Sequence, residues 1–275
     1  MTMKKLLNLQ FCLCGLGTLL HSSCSETPDS RLILSDEVII PIEKIDETEF
    51  MPTILVEDFT GQMCTWCPDG ARLLSDFRAT YGETRIIPVS IHAGGMGVKN
   101  SPSMVGLMNE LGEYYWSKNG FSESTAQPTA VFNRRKISDN RSQWESFVVD
   151  ELTSECGIAM AATATLEAEK TIKISVEIAS KAPLTCHLQL WLLEDGIIAP
   201  QMDHGNANMN YVHDHILRMA LNGVDGENVT LGEKTVTKTL SFSIPEDYVI
   251  ENCYVIAFVY DNNGVLKTVS ARLQN

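Results

Sequence analysis

Near residue 154 the apolar residues of this chain change their spacing. Before that point, short apolar runs at 53–56, 85–92 and 127–132 alternate with stretches of helical spacing at 70–81, 104–118 and 142–152. In the first of those stretches Leu73, Leu74 and Phe77 share one face, as a helical repeat requires. Strand, helix, strand, helix, strand, helix is the order of an α/β layer. Beyond it, 158–167, 171–178, 186–193, 235–244, 253–260 and 265–272 alternate or run apolar at short intervals, the signature of a β-sandwich. The expectation is an α/β domain over 52–154 and an all-β, immunoglobulin-like sandwich over 155–275. Residues 197–232 read as a long loop inside the sandwich, and loops of that length usually bind something or pack on a neighbour.

The N-terminus reads as an export signal. Lys4 and Lys5 precede an apolar stretch from Leu6 to Leu20, and small residues lead to Cys24. Ser22-Ser23-Cys24 is similar to a lipoprotein box, in which Cys24 is acylated and becomes the new N-terminus. Ordinary cleavage is the alternative, since His21 stands where such boxes carry a small or aliphatic residue. On either route 1–23 is removed, Cys12 and Cys14 leave with it, and 24–51 is a polar tether with one possible strand. No later stretch is long and apolar enough to span a bilayer, and the alternating segments are too few for a transmembrane barrel, so membrane attachment is expected by lipid alone.

Composition excludes other classes. With 44% hydrophobic and 20% charged residues the chain is an ordinary globular one. A net charge of −14, spread along the sequence, repels phosphate backbones, and nucleic acid is not expected as a partner.

The chemistry concentrates at Cys64-Thr65-Trp66-Cys67, between a strand and a helix. A thiol at a helix N-terminus meets unpaired N–H groups and the positive end of the dipole, and both stabilise thiolate. Cys64, read as the outer sulfur, is the expected nucleophile, and Cys67 resolves the mixed disulfide. A static disulfide or half of a zinc knuckle is the alternative, but a zinc site needs four ligands and the chain has no second Cys-x-x-Cys. No metal and no cofactor are assigned. Protein or peptide thiols and disulfides are the expected partners.

Three motifs make residues 53–153 similar to a thioredoxin-fold domain. Asp58 lies six residues before Cys64, the cysteine pair occupies the active-site position, and Gln127-Pro128-Thr129 opens a strand after the second helix. The resemblance implies that Asp58 takes the proton of the resolving thiol. It also implies that Gln127, Pro128 and Thr129 form a cis-proline loop pairing with substrate backbone. Thr-Trp between the cysteines and Pro68 after them depart from the usual thioredoxin motif, and intervening residues tune the potential. Nearly the whole chain after the tether also resembles the lipoproteins related to the 28-kDa outer membrane protein, on Glu57-Asp58-Phe59-Thr60-Gly61 with the cysteine pair and on Tyr211-Val212-His213-Asp214-His215-Ile216-Leu217-Arg218. That likeness implies an α/β thioredoxin-like domain joined to a sandwich, and placement in the envelope, rather than a reaction.

Other candidates carry less. Trp66 offers an aromatic surface for peptide or packs over the motif. His92, ending the second strand, is a possible modulator of Cys64 or simply a loop histidine. His213 and His215 share a face if extended, as a metal site needs, although a hydrogen-bonded loop docking the two domains is the preferred reading. Cys156, Cys186 and Cys253 are read as small buried hydrophobes with at most one disulfide among them. A binding or adhesion lipoprotein using the fold as scaffold, and metal handling by Cys64, Cys67 and a histidine, remain the alternatives to exchange chemistry. Oligomeric state is not legible.

Overall fold

The computed structural model describes residues 31–33, 46–168 and 170–274; the export signal and Cys24 lie outside them. Arg31–Ile33 forms a short strand, β1. In β2 (Ile54–Thr60) every residue is buried, which requires cover on both faces. Parallel to it runs β3 (Ile86–His92), and antiparallel on its other side lies β4 (Thr129–Phe132), followed by the edge strand β5 (Lys136–Ser138). Alternation then assigns each face. Ile54, Val56, Ile86, Ala130 and Phe132 meet Leu74 and Phe77 of α1 (Cys67–Tyr81) and Trp144 and Val148 of α3 (Trp144–Leu152). Leu55, Phe59, Ile87, Val89 and Ile91 face the other way, toward Tyr115 and Trp116 of α2 (Glu110–Lys118). The helical spacing at 104–118 yields a helix only from Glu110, where the Asn109 side chain accepts from the Gly112 N–H and caps it.

The second half supplies β6 (Ile158–Ala168), β7 (Thr171–Ser180), β8 (Leu184–Glu194), β9 (Ile197–Asp203), β10 (Asn206–His213), β11 (Ile216–Ala220), β12 (Glu227–Leu231), β13 (Val236–Ser243), β14 (Cys253–Asp261) and β15 (Gly264–Gln274). Two layers pack as a sandwich: Ile172, Ile174, Val176 and Ile178 of β7 against Leu188, Leu190 and Leu192 of β8 and Val255, Ala257 and Val259 of β14. Cys186 and Cys253 sit in this core as free thiols, and burial pushes them up to about 11 and about 12. Cys156 is also free.

The expected division into a thioredoxin-like α/β domain and a separate sandwich is overturned. Thirteen strands form one mixed sheet in the order β1-β13-β7-β6-β15-β14-β8-β11-β3-β2-β4-β5, with β12 also on β8. The join is β11, antiparallel to β8 and parallel to β3. Its cause lies in β8 and β14, which are apolar on both faces. One face closes the sandwich. The other puts Trp191, Leu193, Tyr254, Ile256 and Phe258 into the same core as Leu55, Phe59 and Tyr115. Strands outweigh helices throughout, so the molecule is mainly β rather than α/β plus β. Four strands also replace the expected 197–232 loop, two of them forming a separate hairpin, β9–β10.

Candidate functional site

Pro68 in the first turn is pre-organised for the helix and Asp69 suits its dipole, so α1 starts at the cysteine motif. Gly82, at φ 111°, ends it in a conformation that favours glycine. Cys67 is the first helical residue; Cys64 lies one turn earlier, in the loop, and the two are joined as a disulfide with Cα atoms 5.4 Å apart. The Gln127–Pro128 peptide is cis. Cys64 Sγ lies 3.2 Å from the Gln127 carbonyl oxygen. Gly70 lets this loop approach α1, because a Cβ there would lie 3.0 Å from Pro128 Cγ. Asp58 and Cys67 thus line one cavity, and the cis-proline loop lies against Cys64 and the start of α1.

The expected roles of their neighbours change. Cys64 is not an outer sulfur: it is 3% exposed and Cys67 2%. The Gln127 side chain donates to the Thr60 and Ala93 carbonyls, and the buried Thr129 hydroxyl to the Ala126 carbonyl. Both side chains bond within the protein, whereas Trp66 is 49% exposed, with its ring edge-on to His204 and beside Arg141.

What covers the cysteine loop is the β9–β10 hairpin, in the stretch expected to be a loop. His204 and Gly205 both take positive φ at its two-residue turn, the geometry that matches strand twist. Its tip lies on the cysteine loop. Met202 N–H donates to Gln62 O at 2.8 Å, His204 N–H to Thr65 O at 3.1 Å, and Gly205 N–H to Thr65 Oγ1 at 2.6 Å. Gln201 Nε2 donates to the Cys64 and Gly61 carbonyls. Around the rim, His204 lies 3.1 Å from Asp69 and Arg72 lies 3.5 Å from Asp203.

Beneath the disulfide is a cavity of about 480 Å³ that Cys67 lines and Cys64 does not. Asp58 and His92 reach it from the α1-facing side of β2 and β3, and His213 and Tyr211 from β10. Asp58 Oδ1, His92 Nδ1 and His213 Nε2 are buried there without hydrogen-bond partners. Burial pushes the Asp58 carboxyl up to about 7. For imidazoles burial acts in the opposite sense: it takes His213 down to about 4 and, with His213 as neighbour, holds His92 well below the usual histidine range. At pH 7 both rings are neutral.

The two sequence motifs resolve into separate tasks. Glu57, on the opposite face of β2 from Asp58, pairs with Arg134 at 3.0 Å, and the guanidinium lies 4.7 Å from the Tyr260 ring centroid and 5.0 Å from that of Phe258. In the second motif His213 and His215 both line the cavity, and His215 also docks the halves. His215 Nε2 lies 2.9 Å from Arg78 of α1, its Nδ1 2.6 Å from the Tyr254 hydroxyl, and its carbonyl accepts from Ser90 N–H. With His215 and Arg272 as partners, Asp195 stays well below the carboxylate range despite its burial. Among the described residues no three His, Cys, Asp or Glu side chains are placed to hold one metal ion.

Residues 117–275 match the family model described as outer membrane protein Omp28. The chain belongs to the Omp28 family. HBP35 of Porphyromonas gingivalis has a similar structure, with a TM-score of 0.62 at 14% identity, over 82% of this chain and 76% of that one; at such identity the likeness is of fold. A domain of the outer membrane lipoprotein Omp28 from Porphyromonas gingivalis is 26% identical over 44% of this chain and 92% of its own, with a TM-score of 0.31. No curated protein matches the chain. Omp28 membership places the protein at the outer membrane of the cell envelope. No described helix is long and apolar enough to cross a membrane.

Proposed function

We propose that this Omp28-family protein exchanges thiols and disulfides with proteins or peptides of the envelope, held to the outer membrane by acylated Cys24. The observation that carries this reading is Asp58: a buried, unpartnered carboxyl, pushed up to about 7, in the cavity that Cys67 lines. A disulfide serving only as a staple has no use for a proton donor, and leaving such a carboxyl buried is unfavourable.

Starting from the oxidised pair, a substrate thiolate attacks Cys64 Sγ. The Cys64–Cys67 bond breaks, a mixed disulfide forms at Cys64, and Cys67 leaves as thiolate. Asp58 supplies its proton, while the α1 N-terminus stabilises the developing charge. A second substrate thiolate then attacks the substrate sulfur, a substrate disulfide forms, and Cys64 leaves. The protein gains two electrons and the substrate loses two; the reverse sequence reduces a substrate disulfide. Trp66 and the exposed Met63 beside Cys64 offer apolar contact to an extended peptide. Access to Cys64 requires the β9–β10 hairpin to lift.

The burial of both sulfurs favours a second reading, a structural disulfide in a binding scaffold. Turnover separates the two. Under this proposal the protein catalyses insulin reduction or the rearrangement of scrambled ribonuclease, and Cys64→Ser abolishes it. Activity no greater than that of Cys64→Ser establishes the scaffold.

A further inference from the structure

A bare strand edge is a ready template for another chain, and folded proteins blunt such edges by shortness, charge or cover. The edge strand β5 follows that rule: it has three residues, of which Lys136 is the first. β10 does not. It runs eight residues, Asn206–His213, and pairs along one side with β9 and along the other with no described strand. From Asn206 to Asn210 every residue is exposed, and from Asn206 to Val212 none is charged. One bulge, opposite Pro200, interrupts its pairing, and Asn210 N–H turns to the Asn208 side chain.

This edge belongs to a wider surface that differs in composition from the rest of the chain. Buried Gln62 joins its parts: Nε2 donates to the Pro200 carbonyl of β9 and to the Val105 carbonyl, each at 2.9 Å, and Oε1 accepts from Leu107 N–H. Met63 N–H donates to Met96 O. Met63 and Trp66 on the cysteine loop, Met96 and Val105 beside it, and Ile198 and Val212, paired across the hairpin, are each 46% or more exposed. In a chain with 35 acidic residues, the stretches 59–68, 94–108 and 197–213 carry one acid, Asp203, and one lysine or arginine, Lys99. Exposed apolar side chains with few charges among them mark the core of an interface, and methionine adapts to partners of differing shape.

We propose that β10 receives an extended, uncharged segment of a non-native polypeptide as an added strand, with the apolar side chains around the cysteine loop holding that segment's side chains. This rests on the exchange reading above and names its substrate class, chains that have not finished folding. Main-chain groups along the β10 edge give affinity with little regard to sequence. Charge selects the occupant. A carboxylate or ammonium laid on this surface loses water and meets almost no counter-charge, so uncharged segments fit best. Folded proteins bury such segments, and incompletely folded ones expose them. A second copy of this chain brings another net charge of −14, which opposes its approach. The hairpin tip bonds to the main chain at Thr65, so a segment docked on β10 lies beside the cysteine loop.

The test is the binding of three labelled, cysteine-free peptides of about ten residues to the oxidised protein, read by fluorescence anisotropy. The first alternates valine or phenylalanine with serine or threonine. The second replaces the hydroxyl residues by glutamate, and the third is the first with every amide N-methylated, which removes strand pairing. The first is expected to bind at least tenfold more tightly than the other two. The double variant Met209→Lys with Val212→Lys, both side chains over half exposed, is expected to keep the wild-type unfolding midpoint and to bind it at least tenfold more weakly. Ile137→Lys, which places the same charge on the β5 edge, binds it as the wild type does. Equal binding of the three peptides, or of the double variant and the wild type, overturns the proposal. A dimer that the double variant dissolves, or flotation of the unacylated protein with phosphatidylcholine vesicles, names another occupant and overturns it too. Turnover of scrambled ribonuclease keeps the two readings apart. Selective peptide binding without turnover sinks the exchange reading and leaves β10 as a docking edge; turnover without selective binding sinks the docking edge alone.

Discussion

Asp58 carries more of this account than either cysteine, because a carboxyl pushed up to about 7 leaves a trace in stability as well as in chemistry. Below about pH 4 folded and unfolded chains both hold its proton. Between 4 and 7 the unfolded chain releases the proton while the folded chain keeps it, so stability falls as pH rises through that window and levels off above it. From the model-compound range to about 7 the loss is roughly 4 kcal/mol. His92 and His213, held neutral by burial, act oppositely and withdraw stability as pH falls below the usual histidine range. Replacing Asp58 isolates its part. Asp58→Asn gains on the order of 2–4 kcal/mol over wild type at pH 8 relative to its difference at pH 4, measured by urea unfolding of the oxidised protein. Equal differences at the two pH values contradict a buried, proton-holding carboxyl. At this scale the sequence was informative at its motifs: Asp58 and Cys67 line one cavity, and the Gln127–Pro128 bond is cis and lies beside Cys64. It was silent on burial. Nothing near Cys64 in sequence reveals a cover supplied by residues 201–205, about 140 positions on.

That cover is the element-scale result. The hairpin was hidden because β10 is exposed from Asn206 to Asn210, Ala207 and Met209 included, so its apolar residues mark no core face, and its turn is His-Gly rather than the usual Asn-Gly or Asp-Gly. Asn206 to Tyr211 alternates polar and apolar, but neither set is buried and the register shifts between Asn208 and Tyr211, so the alternation leads to no core. Its hold on the cysteine loop is made of hydrogen bonds, the Arg72–Asp203 ion pair at the rim, and the contacts of His204 with Asp69 and the Trp66 edge, with few buried apolar groups at its tip. Elements held in this way open below the global unfolding free energy. Removing His204 takes away contacts worth about 1 kcal/mol and raises the open population about fivefold. His204→Ala is therefore expected to speed alkylation-trapped reduction of Cys64 by dithiothreitol about fivefold, with no change in the unfolding midpoint large enough to explain it. An unchanged rate means that thiols reach Cys64 with the hairpin closed.

At the scale of the whole molecule, the sequence conveyed the two rhythms but not their union. The α/β order and the six long strands of the second half stand close to where their periodicity puts them, while the apolar run at Leu190–Leu193 and that at Tyr254–Val259 were read as one buried face when both are covered. Runs of that kind mark strands sandwiched between two layers. Here the layers are the sandwich and the cysteine-bearing half, so Trp191, with its indole N–H donating to the Tyr115 hydroxyl at 2.9 Å, sits at the centre of a core that neither half can close alone. Joining the halves in one sheet also fixes the hairpin over the cysteines, because β9 leaves directly from β8 and β10 leads directly into β11. Under the exchange proposal the second half regulates access to the cysteines as well as anchoring the first. All of this presumes that the Cys64–Cys67 bond is made and broken in use, and equilibration of the protein with glutathione buffers measures that directly. A midpoint inside the span of exchange proteins, roughly −120 to −270 mV, is the predicted result. A midpoint below about −300 mV, where structural disulfides lie, contradicts it.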